Sequence, residues 1–152
     1  MKQPTLSVII PAVNAASTIE DCLNAIFTQT FLGEIDVVVA VGPSSDNTLE
    51  ILSHLAGSNK QLKIIENPSG LTPVALNLAI KAAKGEIISR VDAHSVIPKN
   101  YLNQAVSTLL RTKSANVGGI QYPVGSKGTR KIIALAMRSS FGAVRREGMP
   151  II

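Results

Sequence analysis

Ile35-Asp36-Val37-Val38-Val39-Ala40-Val41 is almost wholly apolar and rich in β-branched residues. Such a run reads as a strand buried on both faces, as in a parallel sheet covered by helices. Working back from it, Gly33 breaks the chain, and Ala15 to Gln29 reads as a helix. Ser17 or Thr18 is its N-cap, Glu20 and Asp21 fall in its first turn, and Ile19, Leu23, Ile26 and Phe27 repeat at helical spacing. Ahead of that helix, Leu6-Ser7-Val8-Ile9-Ile10 reads as a strand stopped by Pro11.

Working forward, the polar loop Gly42-Pro43-Ser44-Ser45-Asp46-Asn47-Thr48 enters a helix carrying Leu49, Ile51, Leu52 and Leu55, which ends near Gly57. Leu62-Lys63-Ile64-Ile65-Glu66 is the third strand, and Asn67-Pro68-Ser69-Gly70 is a turn. Thr72 as N-cap and Pro73 in the first helical position open a helix that stops at Gly85. Ile87, Ile88 and Val91 predict a short buried fourth strand, and Pro98 starts a helix with Tyr101, Leu102, Ala105, Val106, Leu109 and Leu110 inward. Ala115 to Gln121 predicts a fifth strand, and a basic-apolar helical pattern runs from beyond Gly128 to about Val144. Strand and helix alternate throughout, so the expected fold is α/β: a doubly wound, mostly parallel sheet with right-handed crossovers.

The 152 residues suit one domain with a sizeable core, and 45% hydrophobic with 16% charged residues argues against disorder. No apolar run approaches the roughly 18 residues that span a bilayer, and residues 1–5 lack the shape of a secretory signal. The single Cys22 lies in an apolar helical pattern and reads as a small core residue. A reducing, cytoplasmic setting is therefore expected. Of the net charge of +5, much is concentrated in Lys127, Arg130, Lys131, Arg138, Arg145 and Arg146, a segment with no acidic residue. That segment is suited to anionic lipid head groups or a phosphorylated substrate, or is an ordinary solvated helix face. Aromatics at 3% give no stacking platform, so nucleic acid is not an expected partner.

The chemistry concentrates in Gly85-Glu86-Ile87-Ile88-Ser89-Arg90-Val91-Asp92-Ala93-His94-Ser95. On an extended backbone Arg90, Asp92 and His94 would point the same way, just past the end of an apolar strand. Ligands of open α/β sheets gather outside the carboxyl ends of the strands, so a metal-diphosphate site is one reading. The other is that Arg90 pairs with Asp92 on the surface and His94 caps the helix at Pro98. Pro11-Ala12-Val13-Asn14-Ala15-Ala16 contains no glycine, which excludes the dinucleotide G-x-G-x-x-G loop at the first strand. Neither a G-x-x-x-x-G-K-[ST] phosphate loop nor a G-x-S-x-G nucleophile elbow is present. Phosphate binding would therefore use a metal or side chains.

Ser7-Val8-Ile9-Ile10-Pro11-Ala12-Val13-Asn14, Ser44-Ser45-Asp46-Asn47-Thr48, Asn67-Pro68-x-Gly70 with Ala75-Leu76-Asn77, and Asp92-Ala93-His94 occur in a fixed order. In that order, over roughly Leu6 to Gln121, the chain resembles family 2 glycosyltransferases, and bacterial members of the succinoglycan-biosynthesis type in particular. The resemblance implies a Rossmann-like GT-A fold and an inverting transferase. It implies that Asp92-Ala93-His94 occupies the place of the family's D-x-D motif. Asp92 would then meet the nucleotide ribose or the metal shell, and His94 would stand in for the carboxylate nearest the metal. The implied cofactor is Mg²⁺ or Mn²⁺, with a histidine nitrogen favouring Mn²⁺. Pro11, Val13 and Asn14 would lie along the nucleotide base, Ser44 to Asp46 would close its pocket, and Asn77 would support the site. Arg90 would reach a phosphate or pair with Asp92.

Departures from the family pattern bear on the base. Val13 replaces an aromatic, Gly42 falls where an aspartate reading the base edge is common, and Leu76 where an arginine is common. A UDP-sugar, frequent in the family, is thus one donor among several. Taken singly, Asn14 and Asp46 are ordinary helix-start residues, and Ser44 and Ser45 ordinary loop residues.

The resemblance also divides the chain. Residues 1–122 would be the nucleotide-sugar-binding half, and 123–152 the incomplete, basic beginning of the acceptor-side half. The only acidic residue after His94 is Glu147, so the general base is expected beyond Ile152. The activity implied is sugar transfer to a saccharide or lipid-linked acceptor in envelope or extracellular polysaccharide synthesis, at the cytoplasmic face of a membrane. An uncovered apolar face would favour a homo-oligomer. Two other readings stand beside it: a non-catalytic nucleotide-binding remnant or interaction module, and a GT-A-like nucleotidyltransferase. The second lacks its usual glycine-rich, basic first loop.

Overall fold

The computed structural model describes residues 4–119. The elements, in order, are β1 (Leu6–Ala12), α1 (Ile19–Phe27), β2 (Ile35–Val41), α2 (Thr48–Ser58), β3 (Leu62–Glu66), α3 (Thr72–Ala82), β4 (Ile87–Arg90) and α4 (Tyr101–Thr112). The strands form one parallel sheet in the order β3-β2-β1-β4. The chain divides into two units, Met1–Ser107 and Thr108–Ile152, and the whole sheet belongs to the first.

Alternation along the strands explains why both faces need cover. Leu6, Val8, Ile10, Val37, Val39 and Val41 pack with Ile19, Leu23 and Ile26 of α1, Leu52 of α2, and Leu102 and Val106 of α4. Ile9, Val38 and Ala40 face the other way, against Ala75 and Ala79 of α3. The small alanines let α3 sit close on the sheet. The order in which the chain adds strands thus reverses between β1 and β4: the helix after β1 covers one face, and the helix leading into β4 covers the other. A crevice opens at such a switch point, outside the carboxyl ends of the two strands.

Several boundaries differ from the sequence reading. Pro11 lies inside β1, opposite Ala40 of β2. Along β1, Ile9 offers its carbonyl towards β4, to Val91 N, whereas Ala12 offers its carbonyl towards β2, to Gly42 N. By that alternation the missing N–H of Pro11 falls on the β4 side, beyond the last residue of β4, where the ladder needs no donor. The first helix begins at Ile19 rather than Ala15, because residues 15–18 form a turn closed by the Thr18 and Ile19 amides on the Ala15 carbonyl. Thr72 is the first residue of α3, and Leu71, not Thr72, holds the cap position.

Among the described residues β4 is an edge strand rather than a buried one: there it pairs only with β1, α3 lies over β1 and β2, and Ile88 is 40% exposed. Leu110, expected inward, is exposed. No strand forms over 115–119, so the sheet among the described residues has four strands, and the rest of the expected fifth lies outside them. The basic 127–146 segment and Glu147 also lie outside the described residues. Among those described, no helix is long and apolar enough to cross a membrane.

Gly57 is helical, with nothing within 4 Å of where a Cβ would be. Alanine there removes only backbone freedom from the unfolded chain. Gly57→Ala should therefore stabilise the protein by about 0.5–1 kcal/mol, read as a higher urea midpoint at unchanged m-value.

Candidate active site

A cleft of about 280 Å³ opens at the β1/β4 switch point. One wall is the chain leaving β1, Pro11 to Ala15, with Thr18; the other is Arg90, Asp92, Ala93 and His94, leaving β4. Asn67, Gly70, Thr72 and Ala75 complete it from the β3–α3 side.

The acidic-basic segment is not one extended face. Strand pairing ends at Arg90, Val91 N makes a last bond to the Ile9 carbonyl, and Ser95 N turns back to the Asp92 carbonyl at 2.9 Å. Val91 and Ala93 are buried and anchor this turn on both sides of Asp92. Arg90, Asp92 and His94 nevertheless reach the same cleft. Arg90 pairs with Asp92, its Nη2 at 2.9 Å and its Nε at 3.0 Å from the one oxygen Oδ1. Oδ2 is left outside that pair. Beneath, the Cys22 thiol donates to the Asp92 carbonyl at 3.5 Å. Burial first, and the Asp92 charge second, push the Cys22 thiol up to about 11, so it is a protonated core residue at neutral pH.

The other wall is held from β2. Asn14, at φ 47°, has the left-handed backbone that asparagine tolerates. Its amide donates to Ser44 Oγ at 3.0 Å, and its Oδ1 accepts from Ser45 N at 2.8 Å. Thr48 Oγ1 accepts from Ala15 N at 2.8 Å and donates to Asp46 Oδ1, while Asp46 Oδ2 accepts from Ala16 N at 3.0 Å. The Thr48 hydroxyl above all, with these backbone amides, holds the Asp46 carboxyl below its ordinary range.

Of the residues singled out in the sequence, Pro11, Val13, Asn14, Arg90, Asp92 and His94 come together at the cleft. Gly42 and Ser44 do not line it; they border an adjoining hollow of about 320 Å³ with Pro43, Leu49, Glu66, Asn67 and Pro68. Asp46 lines neither; its carboxylate bonds to Ala16 N and to Thr48. Asn77 is exposed on α3 and is not brought to the cleft. Gly42 has a packing reason of its own. A Cβ there would stand 2.7 Å from Val13 Cγ2 and 3.1 Å from Gly70 Cα, so Val13 occupies the space a side chain would need.

Sequence reasoning gave no place at the site to Asn67, Gly70 and Ala75, quoted only as pieces of the resemblance, nor to Thr18 and Thr72, read only as helix caps. Asn67 is 1% exposed, with Oδ1 accepting from Ser69 Oγ and Nδ2 donating to the Leu71 carbonyl. Gly70 sits at φ +66°, which suits glycine. The signal was the Asn-Pro-x-Gly turn, visible in the sequence as a turn but not as a wall.

Among the described residues no three His, Cys, Asp or Glu side chains gather to cage a metal ion. The donor set fits a different kind of cation. Mg²⁺-like ions commonly keep water and substrate phosphate oxygens and take only one or two protein ligands. Asp92 Oδ2, outside its ion pair, is one such carboxylate oxygen, and the exposed His94 imidazole lines the same cleft, so the residues fit a cation that arrives with a diphosphate.

The profile of the family described as Glycosyl transferase family 2 matches residues 7–149. The succinoglycan biosynthesis protein ExoA of Rhizobium meliloti (strain 1021) is 30% identical over 137 residues, 89% of this chain and 42% of that protein. The chondroitin synthase of Pasteurella multocida (strain Pm70) is 31% identical over 111 residues, 73% of this chain and 11% of that protein. Among solved structures, the mannosyltransferase PcManGT from Pyrobaculum calidifontis in complex with GDP-Man and Mn²⁺ is 30% identical with a TM-score of 0.68, covering 80% of this chain and 36% of its own. S. aureus TarS 1-349 in complex with UDP is 29% identical with a TM-score of 0.64, covering 81% of this chain and 39% of its own. The chain thus spans less than half the length of each of these proteins. These solved neighbours are glycosyltransferases of the GT-A fold, as the sequence reading expected.

Proposed function

Since this chain belongs to glycosyl transferase family 2, we propose that its cleft binds the diphosphate of a nucleotide-sugar donor. The protein would use it for inverting transfer of the sugar to a saccharide or lipid-linked acceptor, in envelope or extracellular polysaccharide synthesis. The observation that carries this reading is the meeting of Arg90, Asp92 and His94 at one cleft, outside the carboxyl ends of β1 and β4. The GDP-Man and Mn²⁺ complex of one neighbour and the UDP complex of another support it.

Each residue has a task in that reading. Pro11, Val13 and Asn14 bound the donor on the β1 side. Val13, with Gly42 behind it, offers an apolar surface where a carboxylate would select one base edge, so donor choice rests on shape. Ser44 faces the adjoining hollow, where the base would lie. Arg90 gives a fixed positive charge to the diphosphate. Asp92 and His94 would hold a divalent cation, Mn²⁺ or Mg²⁺, whose contribution is to neutralise the departing nucleoside diphosphate. Residues 1–122 form the donor-binding part in this proposal, and 123–152 lead towards the acceptor. The basic 127–146 segment suits the anionic cytoplasmic face of a membrane, where lipid-linked acceptors would be met.

Calorimetric titration with UDP and with GDP, each with and without Mn²⁺, tests the proposal. Binding that requires the cation is expected; binding that ignores it, or none with either nucleotide, counts against it.

Arg90 gives a separable expectation. Its side chain is 52% exposed, and an exposed ion pair contributes roughly 0–1 kcal/mol to stability. Arg90→Leu should therefore leave the melting temperature nearly unchanged while weakening nucleotide binding by about tenfold. A large fall in stability with unaltered affinity would instead mark Arg90 as structural.

A further inference from the structure

The β1–α1 loop carries Val13, Asn14, Ala15 and Thr18 into the cleft; its own bonds close only the turn at residues 15–18, with the Thr18 and Ile19 amides on the Ala15 carbonyl. It lies between the end of β1 and the start of α1, and α1 has no side-chain cap bond at Thr18. What it does have is a set of bonds to a loop some 30 residues away. Asn14 N reaches Ser44 Oγ, Ala15 N reaches Thr48 Oγ1, Ala16 N reaches Asp46 Oδ2, and Asn14 Oδ1 receives Ser45 N. Three consecutive amides of the β1–α1 loop are thus satisfied by side chains of the β2–α2 loop and of Thr48, the first residue of α2.

The partners are tied to one another. Asp46 Oδ1 accepts from both Thr48 Oγ1 and Thr48 N, so the carboxylate fixes the hydroxyl that receives Ala15 N. Thr48 is fully buried, and a lost hydroxyl would strand the Ala15 amide. The same bonds orient the Asn14 carboxamide: Oδ1 is taken by the Ser45 amide and hydroxyl, which turns the NH₂ group away from them. Neither Asp46 nor Thr48 lines the cleft, so any effect they have on a ligand passes through this wall.

We infer that Asp46 and Thr48 are positioning residues, whose cross-link from the β2–α2 loop sets the β1–α1 wall and presents Val13 and Asn14 to the donor nucleotide. This rests on the nucleotide-sugar reading above and adds to it a pair outside the site. The role fits residues whose sequence context alone suggests ordinary helix-start chemistry.

Amide hydrogen exchange in the free protein provides the first test. Asp46→Ala should raise exchange at Ala15 and Ala16 by about tenfold or more, while the Val37 to Ala40 amides hold their protection. Asp46 is exposed, so the variant should fold, and its melting temperature checks that. The second test is titration with UDP and GDP in the presence of Mn²⁺. Asp46→Ala and Thr48→Val should each weaken binding roughly tenfold, and Thr48→Ser, which keeps the hydroxyl, should restore most of it. A purely structural role would lower the melting temperature of Thr48→Val and Thr48→Ser in proportion to any change in affinity. Unchanged exchange at Ala15 and Ala16 overturns the inference, as does raised exchange with unaltered affinity. If the unsubstituted protein binds neither nucleotide, the functional reading itself fails and the ligand-directed role of the pair fails with it.

Discussion

Asp92→Ala combined with His94→Ala is expected to abolish the cation-dependent part of nucleoside diphosphate binding. The cleft offers a diphosphate no glycine-rich backbone cradle, since the chain leaving β1 runs Pro11-Ala12-Val13-Asn14-Ala15-Ala16. Anion binding there depends on side chains and on whatever cation they retain. With both donors gone, only Arg90 remains as a positive group among the residues lining the cleft. The double variant should bind UDP or GDP at least ~100-fold more weakly in Mn²⁺, about 2.7 kcal/mol. Its affinity without metal should change little, or rise, because Arg90 is then released from Asp92. Stability should be nearly unaffected: the Asp92 side chain is 27% exposed, and its one ion pair lies at the surface. The single variants separate the two ligands. Titration calorimetry with and without Mn²⁺ reads all of this directly, and full retention of Mn²⁺-dependent binding by the double variant would remove the assignment.

Much of this architecture was legible because strand burial leaves a strong mark on composition. The β2 range matches the apolar run Ile35–Val41, since a strand flanked on both faces has little room for polar residues; β3, Leu62–Glu66, was legible despite the exposed Lys63 and Glu66 because Leu62, Ile64 and Ile65 still mark it as a strand. Pro11 misled because proline's missing N–H matters only on a side that needs a donor, and which side that is depends on where β4 ends. Ile88 misled for a related reason: an apolar residue on an edge strand looks like one on a central strand until the neighbouring elements are placed. Near the cleft, Asp92 and His94 were singled out through spacing that suggested an extended segment, while in the folded chain a turn brings them there. Asn14, Ser44 and Asp46 were singled out as a set, and their different placement was not legible. Asn14 lines the cleft, Ser44 the hollow beside it, and Asp46 neither, and they are joined by hydrogen bonds between residues 30 apart. No single-sequence pattern encodes such a pairing.

Gly85→Ala should damage the fold more than any surface substitution discussed above. Gly85 precedes β4 and lies against β1, and a Cβ there would stand 2.4 Å from Ser7 N, 2.7 Å from Leu6 C and 2.8 Å from Ser7 Oγ. Two of these three neighbours are backbone atoms of a strand paired on both sides, with β2 and with β4, and cannot yield separately. The same place is a hydrogen-bond junction. Ser7, fully buried, donates from Oγ to Asp36 Oδ1 and accepts there from Gly85 N at 2.7 Å and Lys84 N at 3.1 Å. Moving Gly85 outward to make room would break those bonds as well as relieve the overlap. Overpacking alone destabilises by about 1–3 kcal/mol, and a stranded buried donor or acceptor adds about as much again, so ~3 kcal/mol or more is expected. For a domain of this size that is a fall in melting temperature of roughly 10 °C. Ser7→Ala removes only the hydroxyl contact and leaves the two backbone contacts in place. The double variant Gly85→Ala with Ser7→Ala should therefore recover little or none of the loss, and substantial recovery would show that the hydroxyl, not the strand, is the obstacle. Because β4 takes its register from this junction, with Ile88 opposite Ser7 and Arg90 opposite Ile9, the loss should reach the cleft. At a temperature where the variant is still folded, nucleotide affinity should already be reduced, since Arg90 and Asp92 would no longer be delivered to the wall facing Asn14.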